Sequence, residues 1–162
     1  MTIRIRQALP GDINDVRYVG TIVWPSTYGP DKGASYVMAG LDKFWSFEAI
    51  ASAIQAGNID VAESEAGVIG MVHVENFGDD LVMWKLYVLP NQQRNGVGRH
   101  LVGIAKDRAR VQGKRLLTEY DLSNGRVRDF YLREGFRDAD APWPGAGTVW
   151  LRWDAASKAR ND

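Results

Sequence analysis

The sequence predicts an α+β fold: a mixed central sheet of about seven strands flanked by about four helices. Three observations carry this. The 162 residues, 45% of them hydrophobic, contain no low-complexity run and amount to one domain able to bury its own core. Hydrophobic periodicity switches along the chain between the strand period and the helix period, in the order β-α-α-β-β-β-α-β-α-β-β. One apolar strand, ended by Pro90, runs through a glycine-containing loop directly into a helix.

Taken in order, Ile3 and Ile5 alternate with Arg4 and Arg6 as in a half-buried strand, and Pro10-Gly11 breaks it. Asp12 reads as the N-cap of a helix carrying Ile13, Val16 and Val19, closed by Pro25. Residues 24–41 read as irregular, with Trp24, Tyr28 and Tyr36 among glycines and prolines. A second helix begins near Asp42 or Ser46, presents Trp45, Ala49, Ala53 and Ile54, and stops at Gly57. Trp24, Trp45 and Phe47 either pack these helices on the sheet or wall a binding cleft. A meander follows: strands at 59–63, 68–76 and 81–89, with turns at 64–67 and 78–80.

His73 reads as a sheet-face residue and His100 as solvated. After the helix that begins near Val97, Gly113 stops the pattern and 115–120 forms a short strand. Ser123 or Asn124 caps a helix holding Val127, Phe130 and Tyr131, which Gly135 terminates. Strands near Phe136 and over 148–153 close the sheet, joined by a loop with Pro142-Trp143-Pro144. Residues 1–154 form a single domain, and the polar tail 155–162 frays.

Composition removes several function classes. The absence of cysteine excludes disulfides, thiolate metal sites and a cysteine acyl-enzyme. With only His73 and His100 and no His-Glu-x-x-His spacing, no metal is expected. Twenty basic residues balance twenty acidic ones, which argues against nucleic acid as a partner. No apolar run is long enough for a membrane span, and the N-terminus lacks the apolar block of a signal peptide, so a cytoplasmic protein is expected.

The loop Gln93-Arg94-Asn95-Gly96-Val97-Gly98, with Arg99 behind it, enters a helix whose Val97, Leu101, Ile104, Ala105 and Ala109 share a face. Such a turn offers unpartnered N–H groups and the positive end of a helix dipole to an anion. It is not a P-loop, because Gly-Lys-Ser or Gly-Lys-Thr is missing. It is not a dinucleotide fingerprint, because Leu101 stands where a third glycine belongs.

The stretch Val88-Leu89-Pro90 followed by Gln93-Arg94-Asn95-Gly96-Val97-Gly98 resembles the acetyl-CoA loop of the GCN5-related N-acetyltransferases. A second match lies downstream, where Asn124, Tyr131, Gly135 and Phe136 stand at that family's offsets. Together they cover 81–137. The resemblance implies a GNAT-like fold, acetyl-CoA as acyl-donor substrate, and an amine acceptor, either a small molecule or a protein amine. Whether the protein is a homodimer is left open. By the same resemblance, the backbone of Leu86, Tyr87 and Val88 pairs with the pantetheine arm, and Val88 N–H polarises the thioester carbonyl. Residues 94–99 hold the diphosphate, and Asn124 meets the pantetheine.

Acetyl transfer to an amine needs a base for the ammonium proton, a donor for the oxyanion, and an acid for the leaving thiolate. Tyr131 takes the acid role by resemblance. Glu119, five residues before Asn124, matches the base of the ribosomal-protein N-terminal alanine acetyltransferases, although Tyr120-Asp121 replaces their Val-Arg. Glu75 or water are the alternatives. A non-catalytic acyl-CoA sensor is the rival reading, and a nucleotide-binding oxidoreductase a weaker third.

Overall fold

A computed structural model describes residues 2–155. The elements are β1 (Arg4–Gln7), α1 (Ile13–Phe44), α2 (Phe47–Gln55), β2 (Ile59–Ser64), β3 (Gly67–Phe77), β4 (Asp80–Val88), α3 (Val97–Gln112), β5 (Leu116–Tyr120), α4 (Arg126–Arg133), β6 (Arg137–Ala139) and β7 (Val149–Trp153). This is the order that periodicity predicts. The seven strands form one sheet in the order β1-β2-β3-β4-β5-β7-β6. β4 and β5 run parallel, while β1–β2, β2–β3, β5–β7 and β6–β7 are antiparallel, so the sheet is mixed as expected. The tail predicted to fray lies, beyond Ala155, outside the described residues.

The chain falls into two compact units, and β3, β4 and α3 each run from one into the other. The first holds the described residues up to His73 together with Lys85–Val102; the second holds Val74–Trp84 and the described residues from Gly103 on.

In the first unit, Val16, Val19 and Val23 of α1 and Ile50 and Ile54 of α2 bury against Ile59, Val61 and Met71 of the sheet. Here the structure corrects the reading of residues 24–41 as irregular. α1 continues past Pro25 and Pro30 and breaks only at Gly33, whose φ of 81° and ψ of 174° separate two helical arms. Proline removes a helical N–H and loosens the helix locally, and between the two prolines the Ser26 and Thr27 hydroxyls both donate back to Val23 O at 2.9 Å.

Tertiary packing then outweighs the local break. Trp24 donates its indole N–H across the kink to Val37 O at 3.1 Å and stacks on Tyr36 with ring centroids 6.1 Å apart. Two glycines make room for these rings. A Cβ on Gly40 would lie 2.3 Å from Trp24, and one on Gly20 would lie 2.1 Å from Trp45. Trp24 and Trp45 are therefore core residues at 8% and 2% exposure, whereas Phe47 is 47% exposed.

Asp12 does not cap α1 through its side chain. Its carboxylate accepts from Leu9 N–H at 2.7 Å and from both terminal nitrogens of Arg6 at 2.7 and 2.9 Å, and Arg6 also reaches Glu63 at 2.9 Å. The Arg6 guanidinium first, and the Leu9 N–H after it, hold the Asp12 carboxyl below the usual carboxylate range against the opposing effect of burial. A depressed folded-state value contributes stability that is present above the unfolded value of about 3.9 and is lost as pH falls through the folded value. Asp12→Asn should cost about 1–3 kcal/mol at pH 7 and flatten the loss of stability below about pH 4. Urea midpoints at pH 7 and pH 3 check this; a variant as acid-sensitive as the wild type would refute it.

In the second unit, Val82, Leu117 and Trp150 form a core with Trp84, Ala141 and Ala146 packed on it. Arg115 binds Asp80 bidentately at 2.9 and 3.0 Å, next to the start of the β4–β5 ladder. The α4 cap differs from expectation. Ser123 and Asn124 lie in a separate 3-10 turn (Leu122–Asn124) whose cap is Asp121, and Gly125 precedes α4. Asp121 accepts from Ser123 N–H at 2.9 Å and so caps that turn, while α4 itself starts from Gly125 without a side-chain cap.

Candidate active site

The first unit carries the predicted loop. β4 pairs with β5 only over Leu81–Met83 and then continues five residues to Val88. Leu86 and Tyr87 are half-buried and Val88 is buried. The Tyr87 side chain turns to the core, edge-on to Trp45 with ring centroids 5.2 Å apart. Leu89 N–H donates to Ile69 O at 2.9 Å, so by strand alternation the preceding Val88 N–H points to the opposite edge.

A 3-10 turn (Pro90–Gln92) follows, and Gln93 folds back to donate to Val88 O at 3.0 Å. Gln93 thus ties the turn to the strand end. Arg94 has a φ of 73° and is the one non-glycine residue with left-handed backbone among the described residues; Gly96 follows at 76°. Such a backbone costs about 1–3 kcal/mol at a non-glycine residue and persists where its surroundings impose it. Arg94, Asn95, Gly96 and Arg99 are exposed, Gly98 is half-buried, and Val97 is buried as the first residue of α3. The first helical bond closes from His100 N–H to Gly96 O at 3.1 Å. The N–H groups of Val97, Gly98 and Arg99 therefore precede the helical ladder.

Leu101, where a dinucleotide fingerprint wants glycine, is fully buried. A Cβ on Gly70 would lie 3.2 Å from its methyl and 3.0 Å from Tyr87 O, so Gly70 is the residue that admits close helix–strand packing. His100 is exposed and His73 buried on β3, as expected.

The second unit carries the remaining candidates. Glu119 on β5 is half-buried, and its Oε2 accepts from the Thr148 hydroxyl at 2.7 Å. Glu75, also half-buried, lies on β3. Asn124 sits in the 3-10 turn before α4, its N–H donating to Asp121 O at 2.8 Å. Tyr131 is buried on α4 at 5% exposure, its ring centroid 5.3 Å from that of Phe136. α4 is anchored by Arg128, which grips Asp138 at 2.7 and 3.0 Å and donates to the Tyr120 hydroxyl at 3.1 Å.

Sequence reasoning missed Thr148. Twenty-nine positions separate it from Glu119, and only the β5–β7 register brings the two together. A shallow groove lined by Leu132, Gly135, Phe136, Arg137 and Asp138 contains none of the candidates. Among the described residues, no three His, Cys, Asp or Glu side chains are grouped to hold a metal, and no helix is long and apolar enough to cross a membrane.

Comparison with known proteins bears on family and fold. Residues 55–138 match the model of the acetyltransferase (GNAT) domain. Two curated relatives, both uncharacterized N-acetyltransferases, are similar in sequence. One, from Staphylococcus epidermidis, is 28% identical over 80 residues, which is 49% of this chain and 50% of the relative. The other, from Staphylococcus saprophyticus, is 32% identical over 74 residues, 46% of each chain. The matches thus span about half the length of these relatives.

Among solved structures, the fold is similar to PaiA N-acetyltransferase from Thermoplasma acidophilum in complex with coenzyme A, with a TM-score of 0.86, 18% identity and coverage of 96% of this chain and 100% of that one. It is also similar to a ribosomal-protein alanine N-acetyltransferase from Escherichia coli, with a TM-score of 0.71, 17% identity and coverage of 99% and 98%.

Proposed function

The chain belongs to the GNAT acetyltransferase family, and from that premise we propose that it moves an acetyl group from acetyl-CoA directly to a primary amine in a ternary complex. The observation that carries this reading is the turn from Arg94 to Gly98. Two left-handed residues there precede a helix whose Val97 and Gly98 N–H groups come before the bond from His100 N–H to Gly96 O, with Arg94 and Arg99 alongside. That is the chemistry a diphosphate requires. We read residues 1–154 as one acetyltransferase domain working in the cytoplasm, supported by similar folds that match nearly the whole chain.

The roles follow from the residue chemistry and from family position. Gly96, Val97, Gly98 and Arg99 offer backbone N–H groups to the diphosphate, while Gln93, Arg94 and Asn95 shape and charge the turn. Leu86 pairs by backbone with the pantetheine arm, which Asn124 also meets, while Tyr87, whose backbone by the same alternation faces β3, packs the strand onto the core. Glu119 takes the proton of the amine as its nitrogen attacks the thioester carbonyl. Val88 N–H donates to the oxygen that becomes negative. When the tetrahedral adduct collapses, the carbon–sulfur bond breaks and Tyr131 protonates the thiolate. With no cysteine to hold the acyl group, a single direct transfer accounts for the chemistry.

Incubation with acetyl-CoA and a panel of small-molecule and peptide amines, followed by free-thiol release, tests the reading. Amine-dependent release with intersecting double-reciprocal plots is expected; parallel plots would instead indicate a covalent acyl-enzyme. Tight acetyl-CoA binding without release for any amine would replace the transferase by a non-catalytic acyl-CoA sensor.

A further inference from the structure

Thr148 belongs to no motif, yet its hydroxyl donates to Glu119 Oε2 at 2.7 Å. We propose that Thr148 is a positioning residue that orients the Glu119 carboxylate to receive the proton of the acceptor amine, an inference that rests on the transferase reading above. An ionised carboxylate only accepts, so the hydroxyl must be the donor, and its proton is not consumed in the reaction. With Oε2 engaged, Oε1 keeps its lone pairs for the amine N–H. As the nitrogen attacks the thioester carbonyl, its proton passes to Oε1 and the N–H bonding pair stays on nitrogen. Thr148 restrains a side chain that otherwise has three rotatable bonds.

The contact is built from both sides. β5 and β7 pair antiparallel with Glu119 opposite Trp150 and Tyr120 opposite Val149. Glu119 and Trp150 therefore share a sheet face, and Thr148, two residues before Trp150, returns to it. The loop leading to Thr148 is pinned rather than free. Trp143 packs edge-on to Trp150 with centroids 5.2 Å apart and lies 6.4 Å from Trp84, and Ala141 and Ala146 pack on the same cluster. Trp84 in turn meets Trp150 edge-on at 5.9 Å. The three indoles pack on one another. Their effect is to fix the loop end, and with it the hydroxyl.

The test is steady-state kinetics on an amine found in the panel, using Thr148→Val, Thr148→Ser, Glu119→Gln and the Val/Gln double variant, with Thr148→Ala carried as a smaller alternative. Thr148→Val should lower kcat about tenfold with KM for acetyl-CoA unchanged, and Thr148→Ser, which restores the donor, should recover most of it. Glu119→Gln should lower kcat by about 10²- to 10⁴-fold. In that background, Thr148→Val should change kcat by less than about twofold, because both act through one carboxylate. Undiminished kcat in both Thr148→Val and Thr148→Ala overturns the proposal alone. So does a tenfold loss that persists in the Glu119→Gln background or is not recovered by serine. A wild-type protein that releases no thiol with any amine overturns the transferase reading and this inference with it.

Discussion

Tyr131→Phe is expected to lower kcat for amine-dependent thiol release by about 10²- to 10⁴-fold, the usual worth of a positioned general acid. The expectation follows from the leaving group. A thiolate departing from a tetrahedral adduct carries a full negative charge, and a phenol, with an ordinary pKa of about 10, remains protonated at neutral pH to supply the neutralising proton. Removing only the oxygen isolates this step. The phenylalanine ring keeps the 5.3 Å contact with Phe136, and the main chain keeps the Phe136 N–H to Tyr131 O bond at 3.0 Å that closes the helix. Melting temperature should therefore fall by only a few degrees, the cost of about one hydrogen bond. Acetyl-CoA affinity, measured by calorimetry, should stay within about threefold, because a group acting only in the transition state contributes little to ground-state binding. A variant within about threefold of wild-type kcat would remove Tyr131 from the chemistry and leave its buried ring a packing residue.

The parts of this molecule that were legible in sequence are those decided locally. Alternating Ile3 and Ile5, the run before Pro90, and the Ser46 cap each state their conformation within a few residues, and the strands and α2 form there. The loop was legible for the same reason, since glycine and arginine at fixed offsets describe a turn without tertiary help. What failed was decided at long range. Pro25 is a helix stop on local grounds, but the bond from Trp24 to Val37 O and the fit of Trp24 over Gly40 carry α1 through it. Gly40 reads locally as part of a loop, whereas the structure uses its missing side chain as space for an indole. Asp12 reads as a helix cap until Arg6, six residues earlier, claims the carboxylate. Thr148 had no local signal at all, because its partner is chosen by the register of two strands. A sequence pattern reports what a residue does to its own backbone; what it does to a distant side chain is set by the sheet.

The diphosphate turn admits a sharper test than its sequence match, because α3 supplies its own control. Gly96 and Gly113 flank the two ends of the helix, both left-handed at φ 76° and 64°, and a Cβ at either would meet nothing within 4 Å. A β-branched residue at either position carries a similar backbone penalty of about 1–2 kcal/mol. Gly96→Val and Gly113→Val should thus lose comparable stability in urea. They should differ in ligand binding. At Gly96, relaxing the strain moves the peptide whose carbonyl takes the first helical bond, and with it the N–H groups of Val97 and Gly98. Each such donor to a charged oxygen is worth about 1.5–3 kcal/mol, so losing one or two predicts acetyl-CoA binding weaker by at least about tenfold and up to about 10⁴-fold. At Gly113, beyond the C-terminal end, Kd should remain within about twofold. Equal affinities in both variants would mean that no anion rests on this turn, and the left-handed Arg94–Gly96 segment would then be only a strand-to-helix connection.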